Sequence, residues 1–266
     1  MSTTILPADV RLRPIALPME HGGWGFLFEP ILLGLALAPS GRGVALAVAA
    51  IASFLVRQPL KILWSDFVAD RKSPRTGIAI AFAAAYAAIA LLSLATAFYG
   101  AFQSVAPLLF AGPLVLTLLW YDAKGKSREI VPELGAPVAL ASVGASIAML
   151  GGWTLPAAAA VWALLALRAV PTVLYVRSRL RLEHRRATNL ALPLAAHAAS
   201  ISAALGLSSL GLAPFSALPL YGVLLLRAGV GLSTLRQKAS ARSVGFSEIG
   251  WGALAVLWLT LAFRLG

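Results

Sequence analysis

Three long stretches of this chain, residues 76–121, 135–167 and 189–226, contain no Asp or Glu. Each exceeds the roughly 20 apolar residues that carry a helix across a bilayer. Lipid offers backbone groups no hydrogen bonds, so a chain crossing it must close its own, and helices do so within a single segment. Composition agrees: 12% of residues are charged and 59% hydrophobic, with a mean hydropathy of +0.84. Soluble domains carry about 25% charged residues, so a soluble globular fold is set aside at the outset.

Cutting at charged or Gly/Pro-rich interruptions leaves nine apolar segments, near 23–39, 43–64, 77–98, 104–121, 135–152, 155–176, 189–211, 215–235 and 249–264. The first holds Glu29 and the last is short. No linker or low-complexity stretch divides them, and no sequence repeat underlies them. The expectation is an all-α polytopic bundle of about nine transmembrane helices, forming a single domain over residues 1–266. Residues 1–14 lack an apolar core before their arginines, so they do not read as a cleavable signal.

The cations set an orientation. Placing the N-terminus in the cytoplasm puts 18 of the 22 Lys and Arg residues on that side, in groups around Arg11, Arg57, Lys124, Arg177 and Arg236. The positive-inside rule then predicts N-in and C-out in a cell's inner membrane. A net charge of +12 is thereby assigned to topology and headgroups, not to nucleic acid. Outer turns such as Tyr99-Gly100-Ala101 are uncharged, so polar chemistry is expected on the cytoplasmic face or inside the bundle.

With no cysteine and three histidines, the chain has no disulfide, thiolate metal site, iron–sulfur cluster or Cys nucleophile. A hard cation such as Mg²⁺ is the metal that its carboxylates suit. In the first cytoplasmic loop Asp66 and Asp70 are four residues apart. On a helix continuing through the loop they share one face, about 6 Å apart, and can hold Mg²⁺ against a diphosphate. The alternative leaves both as solvated carboxylates beside Arg71, Lys72 and Arg75. In the second loop Lys124, Lys126 and Arg128 surround Gly125, either to grip a phosphate group or simply to fix topology. Arg177 to Arg186 carries five arginines and reads as a topological anchor, and His184 there as a surface residue.

Charges inside the membrane say more, because each costs about 2.5–3.5 kcal/mol on insertion scales. By helical rise, Glu29, Arg168 and Arg227 lie about 10–14 Å from the cytoplasmic face, and Arg57 and Lys61 lie one turn apart near the inner end of the second segment. One reading pairs Glu29 with an arginine for structure. Another lets an excess of cations over one carboxylate attract an anion. Glu20 and His21 precede Gly22, Gly23 and Gly25, where backbone can approach a ligand or helix closely. His197 reads as a hydrogen-bonded packing residue.

The run Glu20-His21-Gly22-Gly23-Trp24-Gly25 with Glu29-Pro30, the run Arg57-Gln58-Pro59-Leu60-Lys61, and the Asp66/Asp70 loop resemble the YwiC-like integral membrane proteins, a family that brings no established activity. More distantly, the nine-span pattern, the Asp66/Asp70 loop and Tyr121 to Gly135 resemble the UbiA-type intramembrane prenyltransferases. That resemblance implies a cytoplasm-facing cavity, Mg²⁺ held by Asp66 and Asp70 as catalytic carboxylates, and an isoprenyl diphosphate or other anionic lipid held by Arg57, Lys61, Lys124, Lys126 and Arg128. A second Asp-rich motif belongs where this chain has Arg177 to Arg186 with only Glu183. Arginines can neutralise a diphosphate in place of metal, so binding can survive where transfer does not. The alternatives are a small-anion transporter using Glu29, Arg168 and Arg227, and a non-catalytic membrane assembly protein.

Overall fold

A computed structural model describes residues 11–18, 21–70 and 73–265, with the side chains of residues 21 and 22 outside the description. Ten α-helices follow one another: α1 (Arg13–Ala16), α2 (His21–Leu37), α3 (Gly41–Val68), α4 (Pro74–Phe98), α5 (Ala106–Ala123), α6 (Ile130–Leu150), α7 (Leu155–Glu183), α8 (Ala191–Ser209), α9 (Leu218–Leu232) and α10 (Ala241–Leu265). Short 3₁₀ turns precede α5 and α9. The described residues contain no strand. Eight helices, α3 to α10, are long and apolar enough to cross a membrane when the 3₁₀ turns are counted with α5 and α9, and α2 is a shorter apolar helix. The chain is a multi-pass helical membrane protein.

The helix limits follow local chemistry. The Ser40 hydroxyl accepts from the Gly43 N–H at 3.0 Å, capping α3. Pro74, in the first turn of α4, follows a Ser73/Thr76 capping box. Between α5 and α6 the chain reverses at Gly125, whose φ of +68° lies in the left-handed region that a side chain disfavours. Gly125 thus serves the turn.

α6 and α7 form the centre. α6 packs on α7, α2, α5 and α3, while α10 packs on α2, α4 on α3, and α8 on α7 and α9. One core cluster joins Leu164, Leu220, Leu224 and Leu259 across α7, α9 and α10. A second joins Leu27, Leu46 and Ile147 across α2, α3 and α6. Leu91 and Leu92 on α4, Leu109, Phe110 and Leu116 on α5, and Leu226 on α9 are exposed. That outward apolar surface matches lipid, not water.

Candidate functional site: a cavity with a cationic mouth and a paired interior

α2, α3, α5, α6, α7 and α10 enclose a cavity of about 1170 Å³. Its wall between α3, α5 and α6 is apolar, with Leu46, Ala50, Phe54, Val115, Leu118 and Leu140. At one end stand Arg57, Asp122, Arg128, Glu133, Arg177, Arg181, His184 and Arg186; toward the interior lie Glu29, Arg168, Thr172 and Glu248.

Several mouth cations are already engaged. The Arg57 Nε donates to Asp122 at 2.7 Å, with Lys61 Nζ 3.5 Å from the same carboxylate. Arg177 donates to Glu133 at 2.5 Å. Arg181 reaches the Ala187 carbonyl at 3.0 and 2.8 Å. Among the described residues, Arg128, Arg181 and Arg186 have no carboxylate partner. The five-arginine segment expected to anchor topology thus supplies Arg177, Arg181 and Arg186 to the cavity wall.

Deeper in, the Arg168 Nη1 lies 2.8 and 2.7 Å from the two Glu29 oxygens. Its Nη2 donates to the Glu248 carbonyl at 3.3 Å. Arg227 pairs with the Glu248 carboxylate and lies over the rings of Tyr175 at 4.3 Å and Trp251 at 5.2 Å. Glu29 has room because Gly252 faces it: a Cβ there would collide with the carboxylate. The reading that pairs Glu29 with an arginine holds, and the arginine is Arg168, whereas Arg227 meets Glu248. The expected excess of cations over one carboxylate is corrected, since two carboxylates match two arginines. Glu248 lay just outside the segment drawn at 249–264, and α10 begins at Ala241, two turns earlier.

Asp66 and Asp70 do not share a helix face. α3 ends at Val68 and Asp70 takes a left-handed φ of +46°, a conformation its short polar side chain tolerates. Asp66 is buried; it pairs with Arg75 and accepts from the Thr76 hydroxyl at 2.8 Å, while Asp70 is exposed. Neither lines the cavity, and the described residues hold no cluster of three His, Asp or Glu. This donor set does not fit a Mg²⁺ site at the cavity.

Of the other expected phosphate ligands, Arg57 and Arg128 line the cavity, and Lys61, Lys124 and Lys126 do not. Lys124 sits 3.9 Å above the Trp120 ring and Lys126 pairs with Glu129 at 3.3 Å. Glu20 and the side chain of His21 lie outside the described residues. His197 is buried, with Nδ1 2.7 Å from the Pro193 carbonyl. His184 is exposed at the mouth, as expected of a surface residue.

The model of the family described as YwiC-like protein matches residues 17–148. Over those residues the chain is similar to that family. No curated protein and no solved structure matches it. The matched segment runs from just before α2 through nearly all of α6 and holds Glu29 and the Arg57–Asp122 pair; Arg168, which pairs with Glu29, the Arg227–Glu248 pair, and Arg177 and Arg181 of α7 follow it.

Proposed function

We propose that this YwiC-like membrane protein binds an amphiphile with an anionic headgroup and a long apolar tail, of the isoprenyl diphosphate or anionic-lipid class. One observation carries the reading: a single cavity joins an apolar wall to a mouth where Arg128, Arg181 and Arg186 lack carboxylate partners among the described residues. Guanidinium groups meet phosphate oxygens bidentately, while the tail stays against Leu46, Phe54, Val115 and Leu118. The mouth faces the cytoplasm of an inner membrane in this reading, following the positive-inside count.

The proposal is for binding. Transfer chemistry of the UbiA type asks for metal-held diphosphate, and Asp66 is committed to Arg75 and Thr76. Small-anion transport draws less support, because Arg168 and Arg227 are each matched by a carboxylate.

The test is thermal unfolding of the detergent-purified full chain with farnesyl diphosphate, farnesol or inorganic diphosphate, each with and without Mg²⁺. At 100 times its dissociation constant a ligand stabilises by about 2.7 kcal/mol. Farnesyl diphosphate should stabilise more than either fragment, without needing Mg²⁺, and Arg128→Gln with Arg186→Gln should remove most of the effect. No stabilisation by farnesyl diphosphate overturns the reading.

A further inference from the structure

The apolar part of the cavity ends at one level on four helices. α3 to α6 follow one another through short connections in alternating directions, so the first residues of α3 and α5 and the last residues of α4 and α6 lie at the same end of the bundle. Counted from the mouth, the last residues that line the cavity there are Leu46 on α3, Leu94 on α4, Leu108 on α5 and Val143 on α6. All four belong to the core cluster that also holds Phe98, Val105 and Ile147. Those three lie nearer that end of the bundle and do not line the cavity. The apolar arm therefore stops where this cluster closes it.

Its depth follows from helical rise. At about 1.5 Å per residue, Arg57 to Leu46, Asp122 to Leu108 and Glu133 to Val143 each span about 15–21 Å. The lining side chains between those ends on α3, α5 and α6 are uncharged, and Ser142 among them already donates to the Ala139 carbonyl at 2.6 Å. The interior charges Glu29, Arg168 and Glu248 come from α2, α7 and α10 instead. Leu94 and Leu108 are half-buried, so the closed end still offers apolar surface. An extended chain advances about 1.2 Å per bond, and this depth corresponds to about 12–17 carbons.

We propose that the arm is a tail subsite of set depth, holding a hydrocarbon tail of about 12–17 carbons with its end against Leu46, Leu94, Leu108 and Val143. A tail that reaches this floor gains dispersion contacts that a shorter one lacks, and a longer one must turn aside. Ala50 lies one turn nearer the mouth than Leu46 on the same side of α3 and also lines the cavity, so a larger side chain there would raise the floor by about 5 Å. The subsite rests on the cavity being the ligand chamber proposed above, and it adds a tail length to that reading.

The experiment is photolabelling of the full chain in detergent by hexadecyl phosphate carrying a diazirine at the tail end or beside the headgroup, with labelled residues located by peptide mass spectrometry and unmodified hexadecyl phosphate as competitor. The tail-end diazirine should label the floor residues and lose that label to the competitor, whereas any label on the outward Leu109 and Leu116 of α5 should persist. The headgroup diazirine should label the mouth. Ala50→Leu should lose the floor label and keep the mouth label. Leu108→Ala, the opposite change, should carry the tail-end label on to Val105 and Phe98. Competed labelling at the mouth with none at the floor, or a floor label indifferent to both substitutions, overturns the subsite and leaves the headgroup reading standing. An equal floor label from the hexadecan-1-ol analogue keeps the subsite and removes the anionic headgroup reading instead. No competed labelling at either end overturns both.

Discussion

Two arginine–carboxylate pairs line the same cavity and do different work. Arg57 and Asp122, at the mouth, keep 39% and 18% of their side-chain surface exposed; Arg168 and Glu29, inside, keep 1% and 9%. The contact distances are alike. Water can replace either partner at the mouth, so that pair opens at little cost. Inside, nothing replaces a lost partner, so that pair holds α2 to α7. The difference makes the mouth pair the more easily opened of the two and the interior pair the more rigid.

The largest effect should come from Glu29→Gln, which strands Arg168 and destabilises by about 3–5 kcal/mol, seen as a large drop in Tm of the detergent-solubilised protein. Adding Arg168→Gln removes the stranded charge, so the double variant should lose less than the two single losses combined. Strict additivity would break the contrast with the mouth. Next comes Gly252→Ala, whose methyl group collides with Glu29 and should cost about 1–3 kcal/mol as overpacking. Gly250→Ala, on the same helix with open space around it, should be neutral or stabilising, and equal losses at the two glycines would remove the steric explanation. Smallest is Arg57→Gln, with a stability loss of no more than about 1 kcal/mol that shrinks as salt is raised. A loss comparable to that of Glu29→Gln would show that the mouth is no more yielding than the interior.

The helices themselves were legible, because carboxylate-free runs between charged clusters mark spans directly. Each of the nine apolar segments corresponds to one helix from α2 to α10. Charges misled at helix ends. α3 and α7 run on past their apolar cores, to Val68 and Glu183, and α10 starts at Ala241, because a helix does not stop where lipid does. That error hid Glu248. Charge balance was a usable signal: two arginines in lipid call for two carboxylates, and Glu248 is the single carboxylate after Glu183. Asp66 and Asp70 failed as a pair because spacing in sequence becomes proximity only while the helix lasts.

α2 has 17 residues and so reaches about 25 Å, some 5 Å less than a typical hydrocarbon layer of about 30 Å. Its neighbours α3 and α10, with 28 and 25 residues, have no such deficit. Lipid packed against this described span of α2 can meet the shortfall by thinning locally, at a modest elastic penalty for each ångström of mismatch. Membrane thickness thereby becomes a variable that bears on the helix carrying Glu29, and thick bilayers should strain this side of the bundle more than thin ones.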